Sequence, residues 1–211
     1  MQEDYTAELR NENKTVNGIY ELLESLVFAI ICVIFIFAFV ARLSIVSGAS
    51  MEPTLQDADY LIVGNLFSSY EPKSGDIVVI HTDKYDEPLV KRVIATEGQE
   101  VKIRYSADLG RMGGDLYEVY VDGVLLEENY VVYSNRYYFI APSAEIMNIT
   151  REGNICTAVA TVPENCVFVL GDNRNNSYDS RSGKIGFVEE EFVLGKCIFR
   201  VMPFQKIGRL K

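Results

Sequence analysis

One apolar stretch near the N-terminus decides what kind of protein this chain can be. Residues 26–41 contain no charged side chain, and softer apolar flanks at 22–23 and 43–46 extend the stretch to about 25 residues. As a helix with a rise of about 1.5 Å per residue it would reach about 37 Å, which exceeds the ~30 Å hydrocarbon core of a bilayer. We therefore predict a membrane anchor over 22–46, preceded by an N-terminal tail at 1–21.

A cleavable signal peptide is the competing interpretation, because Ser47-Gly48-Ala49 is a small-x-small sequence. Signal peptides have a basic leader and an apolar region of roughly 7 to 15 residues. Here the apolar run is longer, and residues 1–25 carry six acidic side chains against Arg10 and Lys14. An anchor is favoured. These two basic residues, against Arg42 on the other side, slightly favour a single-pass protein of the cell membrane with a cytoplasmic N-terminus and an extracytoplasmic domain.

The sequence after the anchor is typical of short β-strands. Apolar and β-branched segments alternate with turn residues, and Asp122-Gly123 is a hairpin signal. No long helical periodicity follows the anchor, so we predict a mainly β fold, with twisted antiparallel sheets or a partly closed barrel. The predicted strands are 60–63, 76–80, 89–95, 100–105, 117–121, 124–126, 130–133, 137–140, 156–162, 167–170 and 195–202.

Composition divides the domain and limits its partners. Residues 106–165 are richer in Tyr, Asn and Gly, so we interpret them as an insertion or second β-subdomain of unknown role between two catalytic segments, 47–105 and 166–211. A formal net charge of -10 argues against nucleic acid as a partner, since phosphates require a basic surface. The tripeptide Asn148-Ile149-Thr150 fits a glycosylation sequon, but we interpret it as an ordinary turn.

The four cysteines give no metal site. Cys32 lies in the apolar stretch and Cys197 alternates with apolar neighbours, so both are predicted to be packing residues. Cys156 and Cys166 flank a turn, and a disulfide between them is possible if the domain is extracytoplasmic. There is no second cysteine pair or histidine cluster beside them, and we predict neither metal nor cofactor.

Ser50 follows the last apolar residue of the predicted anchor, Val46, by four positions, which places a hydroxyl near the membrane. It is nine residues from Ala41, at most about 32 Å of extended chain. The only histidine, His81, stands in a loop-like context and is predicted to be exposed. Lys91 lies within the β-branched run 88–95, where burial would lower its pKa and make it a base.

Four motifs, combined with an N-terminal anchor, carry a family resemblance. Over about residues 20–200 the chain resembles the bacterial type I signal peptidases, which are membrane-bound Ser-Lys serine proteases. The endoplasmic-reticulum and archaeal-like forms have histidine where this chain has Lys91. The motifs, in chain order, are Ser50-Met51-Glu52-Pro53-Thr54-Leu55, Gly75-Asp76-Ile77-Val78-Val79, Lys91-Arg92-Val93 and the polar string at 171–183.

The resemblance implies a role for each motif residue. Ser50 would be the nucleophile, Lys91 the general base, and Ser177 the hydroxyl that hydrogen-bonds the lysine nitrogen and orients it. Met51 and Val90 would line shallow apolar pockets. The resemblance also implies structural residues near the site. These are Asp76, the ion pair of Asp179 with Arg181, and a second ion pair of Arg92 with Asp172.

The function implied by the resemblance is removal of signal peptides from exported precursor proteins, with cleavage after small residues at the first and third positions before the cut. The partners would be those precursors and the lipid bilayer. One position departs from the pattern: some family members have a serine two residues before the nucleophile to hold the oxyanion, and here it is Gly48. Either the Ser50 backbone N–H acts with less help or another donor takes part, and Gly48→Ser could raise turnover unless Gly48 needs a positive φ.

Two other functions are weighed against this one. The self-cleaving repressors of the SOS response also use a Ser-Lys dyad on a related β-fold, but they are soluble, and the apolar stretch speaks against them. A membrane-anchored β-domain that only binds peptide strands by edge addition would need neither Lys91 nor Ser177.

Overall fold

The computed structural model describes residues 2–39, 41–64, 70–83, 85, 87–106, 117–131 and 141–210. The chain divides into a helical unit, Met1–Ala41, and a β unit, Arg42–Lys211. The predicted mainly β fold, preceded by one apolar N-terminal helix, is confirmed.

The helical unit is a single helix, α1, over Gln2–Phe39. Its segment Asn17–Phe35 is long and apolar enough to cross a membrane, and none of that segment is buried within the protein. The helix ends earlier than predicted, because Ala41–Ile45 forms a strand. Polar and apolar residues alternate there with a period of two, and Ile45 is β-branched, a combination that favours a strand over a helix.

The described residues of the β unit form two antiparallel sheets. In chain order the strands are β1 (Ala41–Ile45), β2 (Tyr60–Gly64), β3 (Ile77–Ile80), β4 (Leu89–Thr96), β5 (Glu100–Ser106), β6 (Tyr117–Val121), β7 (Val124–Leu125), β8 (Asn148–Glu152), β9 (Ile155–Thr161), β10 (Cys166–Leu170), β11 (Val188–Glu189), β12 (Val193–Met202) and β13 (Gly208–Arg209).

The first sheet has the order β1-β2-β12-β3-β4-β10-β11, and β13 pairs with β12. Strand β4 lies between β3 and β10, with Val78 opposite Lys91 and Leu170 opposite Arg92. All six of its inner residues, 90–95, are buried. A strand in this position buries side chains on both faces of the sheet, so the two successive cations, Lys91 and Arg92, are both taken out of water.

The second sheet has the order β7-β6-β5-β9-β8. The predicted hairpin is confirmed: β6 and β7 pair across Asp122 and Gly123, whose φ angles of 49° and 79° are those of a tight hairpin turn. Strand β5 is the middle strand of this sheet, although the sequence analysis grouped it with the catalytic segment 47–105. The alternating burial of β5 fits either sheet, so its pattern alone does not assign it.

One predicted turn and the start of one predicted strand were wrong. Asn148-Ile149-Thr150 is not a turn but part of β8, which pairs with β9 and is exposed throughout. Tyr130 lies in a turn instead of a strand, where its ring packs on a cation of the first sheet. The rest of that predicted strand beyond Val131, and the predicted strand 137–140, lie outside the described residues.

The possible disulfide is not formed, and all four cysteines are free thiols. Cys156 belongs to β9, which pairs with β5 and β8, whereas Cys166 begins β10, which pairs with β4 and β11. The two strands are consecutive but lie in different sheets, so the hairpin that would bring the thiols together does not exist. Cys197 is 1% exposed, which confirms its packing role.

Candidate active site

Ser50 and Lys91 meet at the first sheet. Lys91 Nζ lies 2.8 Å from Ser50 Oγ and 3.0 Å from the carbonyl oxygen of Val90. Ser50 is half-buried in the turn that follows β1, and Lys91 comes from the central strand β4. A hydroxyl and an amine at this separation are within reach of proton transfer.

Lys91 is held where its neutral form is far more accessible than in an exposed lysine. The side chain is 2% exposed, and burial lowers its pKa from 10.5 to about 8. The charge of Asp179 acts in the opposite direction, Arg181 adds to the lowering, and Asp172 opposes it. Burial dominates because a buried ammonium loses its hydration, and the surrounding charges partly cancel.

Asp179 and Arg181 form one of the two predicted ion pairs, and both side chains are fully buried. Arg181 Nε and Nη2 each donate to one Asp179 oxygen, at 2.8 Å. Burial alone would raise the pKa of Asp179, but the charge and hydrogen bonds of Arg181 hold it below its usual range. Asp179 Oδ2 also accepts the N–H of Gly171 at 3.1 Å, so the pair fixes the start of the polar string.

The second predicted ion pair, Arg92 with Asp172, is present and also buried. Arg92 donates from Nε and Nη2 to the two Asp172 oxygens at 2.9 and 2.7 Å. Asp172 Oδ2 accepts the Thr54 hydroxyl at 2.5 Å. The pair therefore connects strand β4 and the polar string to the turn that carries Ser50.

Asn173 makes two further contacts to that turn. Its side-chain Nδ2 donates to the Ala49 carbonyl oxygen at 3.0 Å, and its backbone N–H donates to the Ser50 carbonyl oxygen, also at 3.0 Å. The Ala49 oxygen also accepts the Glu52 N–H at 3.3 Å. The polar string thus lies directly against the nucleophile's backbone.

Ser177 is near the pair but does not make the predicted hydrogen bond to Lys91. Its side chain is 1% exposed, and within the described part of the chain its hydroxyl makes no hydrogen bond of good geometry, although it lies close enough to Asp179 to help lower the pKa of that carboxyl. The hydroxyl packs against Gly171 instead: a Cβ built on Gly171 would lie 2.1 Å from Ser177 Oγ and 2.5 Å from the Ser50 carbonyl oxygen. Only glycine fits at position 171, because any other residue would separate Ser177 from Ser50.

The side-chain contacts of Asp76 go to residues other than Ser50 and Lys91. Its carboxylate pairs with Lys196 of β12 and accepts the Tyr70 hydroxyl at 2.6 Å. The carbonyl oxygen of the adjacent Gly75 contacts one of the buried ion pairs of the site, because it accepts a hydrogen bond from Arg92 Nη1 at 2.9 Å. The second motif therefore acts on the site through its backbone.

Met51 and Val90 belong to the apolar cluster beneath Ser50, together with residues such as Leu55 and Leu61. Met51 is 1% exposed and Val90 is 8% exposed. Met51 thus packs as a core residue that offers almost no surface to a bound peptide, and Val90 offers little. The cluster ties the turn that carries Ser50 to strand β4.

Gly48 has a φ of 84°, the left-handed conformation that side chains rarely adopt. Its N–H donates to Asp57 Oδ1 at 2.8 Å. The condition under which Gly48→Ser could raise turnover is therefore not met, because a serine at 48 would strain the turn that carries Ser50.

Residues of the predicted insertion support the site. Arg174 of the polar string is fully buried and pairs with Glu128, one contact being 2.9 Å. The guanidinium of Arg92 lies 3.9 Å from the centre of the Tyr130 ring. The segment after β7 therefore covers the arginines that hold the polar string, which gives part of 106–165 a structural role that the sequence did not suggest.

Other candidate groups stay outside the site. His81 is exposed, as predicted. Among the described residues no cluster of three or more His, Cys, Asp or Glu side chains could hold a metal ion.

Sequence reasoning assigned no role to Thr54, Gly171, Asn173 or Arg174, although all four stand inside the quoted motifs. Their position in those motifs was the available signal. Glu128 and Tyr130 carry no motif, and nothing in the sequence distinguishes them from other polar or aromatic residues of the insertion.

Comparison with known proteins finds a matching family and several related proteins. The family described as signal peptidase, peptidase S26, matches residues 19–202. A probable signal peptidase I-2 from Synechocystis sp. is 34% identical over 208 residues, covering 95% of this chain and 81% of the relative. A signal peptidase I from Bacillus licheniformis is 30% identical over 203 residues, with 96% and 98% coverage. A crystal structure of a signal peptidase I from Enterococcus faecalis V583 superposes with a TM-score of 0.41 at 30% identity, covering 61% of this chain and 98% of that one.

Proposed function

The chain belongs to the signal peptidase family, peptidase S26, and from this membership we propose that it is a membrane-anchored serine endopeptidase that removes signal peptides from exported precursors. The contact of 2.8 Å between Lys91 Nζ and Ser50 Oγ, with the lysine buried, is the observation that carries the proposal. Ser50 is the nucleophile and Lys91 the general base.

The proposed reaction proceeds in two halves. In the first, neutral Lys91 takes the Ser50 proton while Oγ forms a bond to the scissile carbonyl carbon; the C–N bond then breaks, and Lys91 returns the proton to the leaving amine. In the second, Lys91 takes a proton from a water that attacks the resulting ester, and Ser50 recovers its proton as the carboxylic acid leaves. No cofactor enters either half.

The surrounding residues are proposed to keep the Ser50 hydroxyl and the Lys91 amine in contact. The Asp179–Arg181 and Arg92–Asp172 pairs hold the polar string against Ser50, and Gly171 lets Ser177 approach it. Ser177 is proposed to act as a positioning residue at this contact.

The apolar segment Asn17–Phe35 is proposed to anchor the enzyme in the cell membrane, with its N-terminus in the cytoplasm and the β unit outside. This arrangement suits substrates whose own apolar segment lies in the same bilayer. It would also separate the enzyme from folded cytoplasmic proteins. The free thiols of Cys156 and Cys166 are compatible with a domain outside the cytoplasm, because the two cysteines lie in different sheets and do not pair.

We expect cleavage only after small residues at the first and third positions before the cut. Alternate residues of an extended peptide point the same way, and the apolar cluster around Met51 and Val90 has little open surface. Forcing each added methylene into a filled pocket should cost about 1 to 3 kcal/mol, or about 10- to 200-fold in kcat/KM.

The test uses the full-length protein in detergent micelles, with a precursor that carries alanine at both positions and with product masses as the readout. Phenylalanine or lysine at the first position should abolish cleavage, whereas the same substitution at the second position is the matched control and should be tolerated. A Ser50→Ala enzyme assayed beside it separates catalysis from peptide binding. Efficient cleavage after phenylalanine or lysine would contradict the proposed specificity.

A further inference from the structure

The backbone N–H of Ser50 lies in a peptide unit whose carbonyl oxygen accepts a hydrogen bond from the side chain of Asn173. In the described part of the chain this N–H donates to no acceptor, although it sits beside a hydroxyl and an amine that are both engaged. A free donor next to the nucleophile is what a tetrahedral intermediate requires for its oxyanion. With glycine at position 48, no side-chain hydroxyl stands two residues before Ser50 to share that task.

The direction of this N–H follows from the preceding carbonyl. The Ala49 C=O and the Ser50 N–H belong to one planar trans peptide unit, in which the two bonds point in nearly opposite directions. Whatever fixes the Ala49 oxygen therefore fixes the Ser50 N–H. That oxygen accepts Asn173 Nδ2 at 3.0 Å, and the longer contact from the Glu52 N–H, at 3.3 Å, comes from within the same turn.

The next peptide unit is held by the same residue. The Asn173 backbone N–H donates to the Ser50 carbonyl oxygen at 3.0 Å, so Asn173 contacts the peptide planes on both sides of Ser50. Turns are free to rotate individual peptide planes unless tertiary contacts prevent it. Here two of the three contacts come from Asn173, in a second segment of the chain, and the longer third contact comes from the Glu52 N–H of the turn itself.

Asn173 is itself rigidly placed. Its backbone carbonyl oxygen accepts the Asn176 N–H at 2.9 Å, and the preceding residue, Asp172, is fixed by two hydrogen bonds from Arg92. Its side-chain Oδ1 has no hydrogen-bond partner in the described part of the chain, so the side chain is held through Nδ2. The residue is 7% exposed, so water does not compete for its amide. A bond from a rigid, buried donor restricts the Ala49 carbonyl more than a solvent-exposed one would.

We propose that Asn173 is a positioning residue that aims the Ser50 N–H at the oxyanion, by fixing the peptide plane between Ala49 and Ser50. The proposal rests on the proposed function, because it assumes that Ser50 is the nucleophile. It assigns to Asn173 an effect on the transition state and not on substrate binding, since the oxyanion forms only when Ser50 attacks.

The test measures kcat, KM and the pH profile of precursor cleavage for the full-length Asn173→Ala enzyme in micelles. We expect kcat to fall by about 10- to 100-fold, less than the loss of an oxyanion donor itself, with KM within about twofold. The pH at which the rate is half-maximal should not move, because Asn173 acts on the oxyanion and not on Lys91. Asn176→Ala is the matched control, since it removes an exposed asparagine side chain of the same loop and should leave both constants unchanged.

Asn173→Leu guards against loss of folding, because leucine has nearly the shape of asparagine but cannot donate to Ala49. It should show the same loss of kcat at an unchanged KM, and thermal unfolding identifies which variants are folded. An unchanged kcat in a folded variant, a loss confined to KM or a shifted pH profile would overturn the role of Asn173 while the wild-type enzyme still cleaves. Failure of the wild-type enzyme to cleave any precursor would overturn the proposed function and this inference together.

Discussion

Replacing either Ser50 or Lys91 with alanine is expected to abolish precursor cleavage while the fold stays intact. The hydroxyl and the amine act as one unit across their contact of 2.8 Å, so the loss of one leaves the other without a partner for the chemistry. A combined drop on the order of 10⁶-fold in kcat is typical when such a unit is broken, and the double variant should be no slower than either single one. Single-turnover cleavage of a precursor measures all three.

The matched controls for these variants are a serine and a lysine outside the site. Ser47→Ala changes an exposed hydroxyl three residues before the nucleophile, and Lys102→Ala removes a lysine of β5 that packs on Tyr120. Both should cleave at the wild-type rate. Turnover near wild type in Ser50→Ala or in Lys91→Ala would contradict the mechanism, and so would additive losses in the double variant.

Asp179→Asn is expected to produce the largest loss of stability among the site variants. The substitution leaves the guanidinium of Arg181 fully buried without its counter-charge. Removing one partner of a buried pair costs about 3–5 kcal/mol, which corresponds to a fall in melting temperature of about 6 to 20 °C for a chain of this size. Thermal unfolding of the full-length protein in micelles, followed by circular dichroism, gives the melting temperature.

Glu118→Gln is the control for that measurement, because it breaks the Arg104–Glu118 pair, in which the side chains are 36% and 29% exposed. Exposed pairs contribute less than about 1 kcal/mol, so its melting temperature should remain within a few degrees of wild type. Equal melting temperatures for Asp179→Asn and the wild-type protein would show that the buried pair does not hold the polar string.

The sequence predicted most strands because their residues combine β-branched side chains, alternation and turn signals. The pattern of β4 indicated a strand, and its family motif indicated that Lys91 faces Ser50; both ion pairs of the site were also implied by the motifs. Burial of two successive cations on one strand could not be read from the pattern alone, since a lysine in a strand is ordinarily exposed. It depends on the placement of β4 between β3 and β10.

The errors have a common physical origin in contacts between distant segments. Residues 43–46 were wrongly assigned to the anchor helix, because apolar character alone does not distinguish a helix in lipid from a strand in a sheet. Cys156 and Cys166 lie only a short loop apart in sequence, but their strands join different sheets. The bond from Ser177 to Lys91 was expected from the resemblance, whereas in the described part of the chain the Ser177 hydroxyl lies against Gly171 and makes no such bond.

The contacts of Glu128 and Tyr130 show what a local sequence pattern cannot contain. Glu128 contacts Arg174, which lies more than forty positions away in the sequence. Tyr130 contacts Arg92, which lies about forty positions away. Each is an ordinary residue in its own segment, and its importance comes only from the buried guanidinium opposite it. Such partners become visible when the arginines are seen to be buried, because a buried charge requires compensation.

The pH dependence of single-turnover cleavage shows whether neutral Lys91 deprotonates Ser50. Burial lowers the pKa of Lys91 from 10.5 to about 8, and only the unprotonated amine can accept the proton. Between about pH 6 and about pH 10 the rate should therefore rise about tenfold per unit on the acidic side and level off above the pKa.

The His81→Ala enzyme is measured alongside, because histidine is the usual general base near neutral pH. The pH profile of this variant should match that of the wild-type enzyme. With Lys91 as the base, the limb should have its midpoint near pH 8, the value to which burial lowers the pKa of Lys91. A rate independent of pH with chemistry rate-limiting, or a limb that disappears in His81→Ala, would contradict a lysine base.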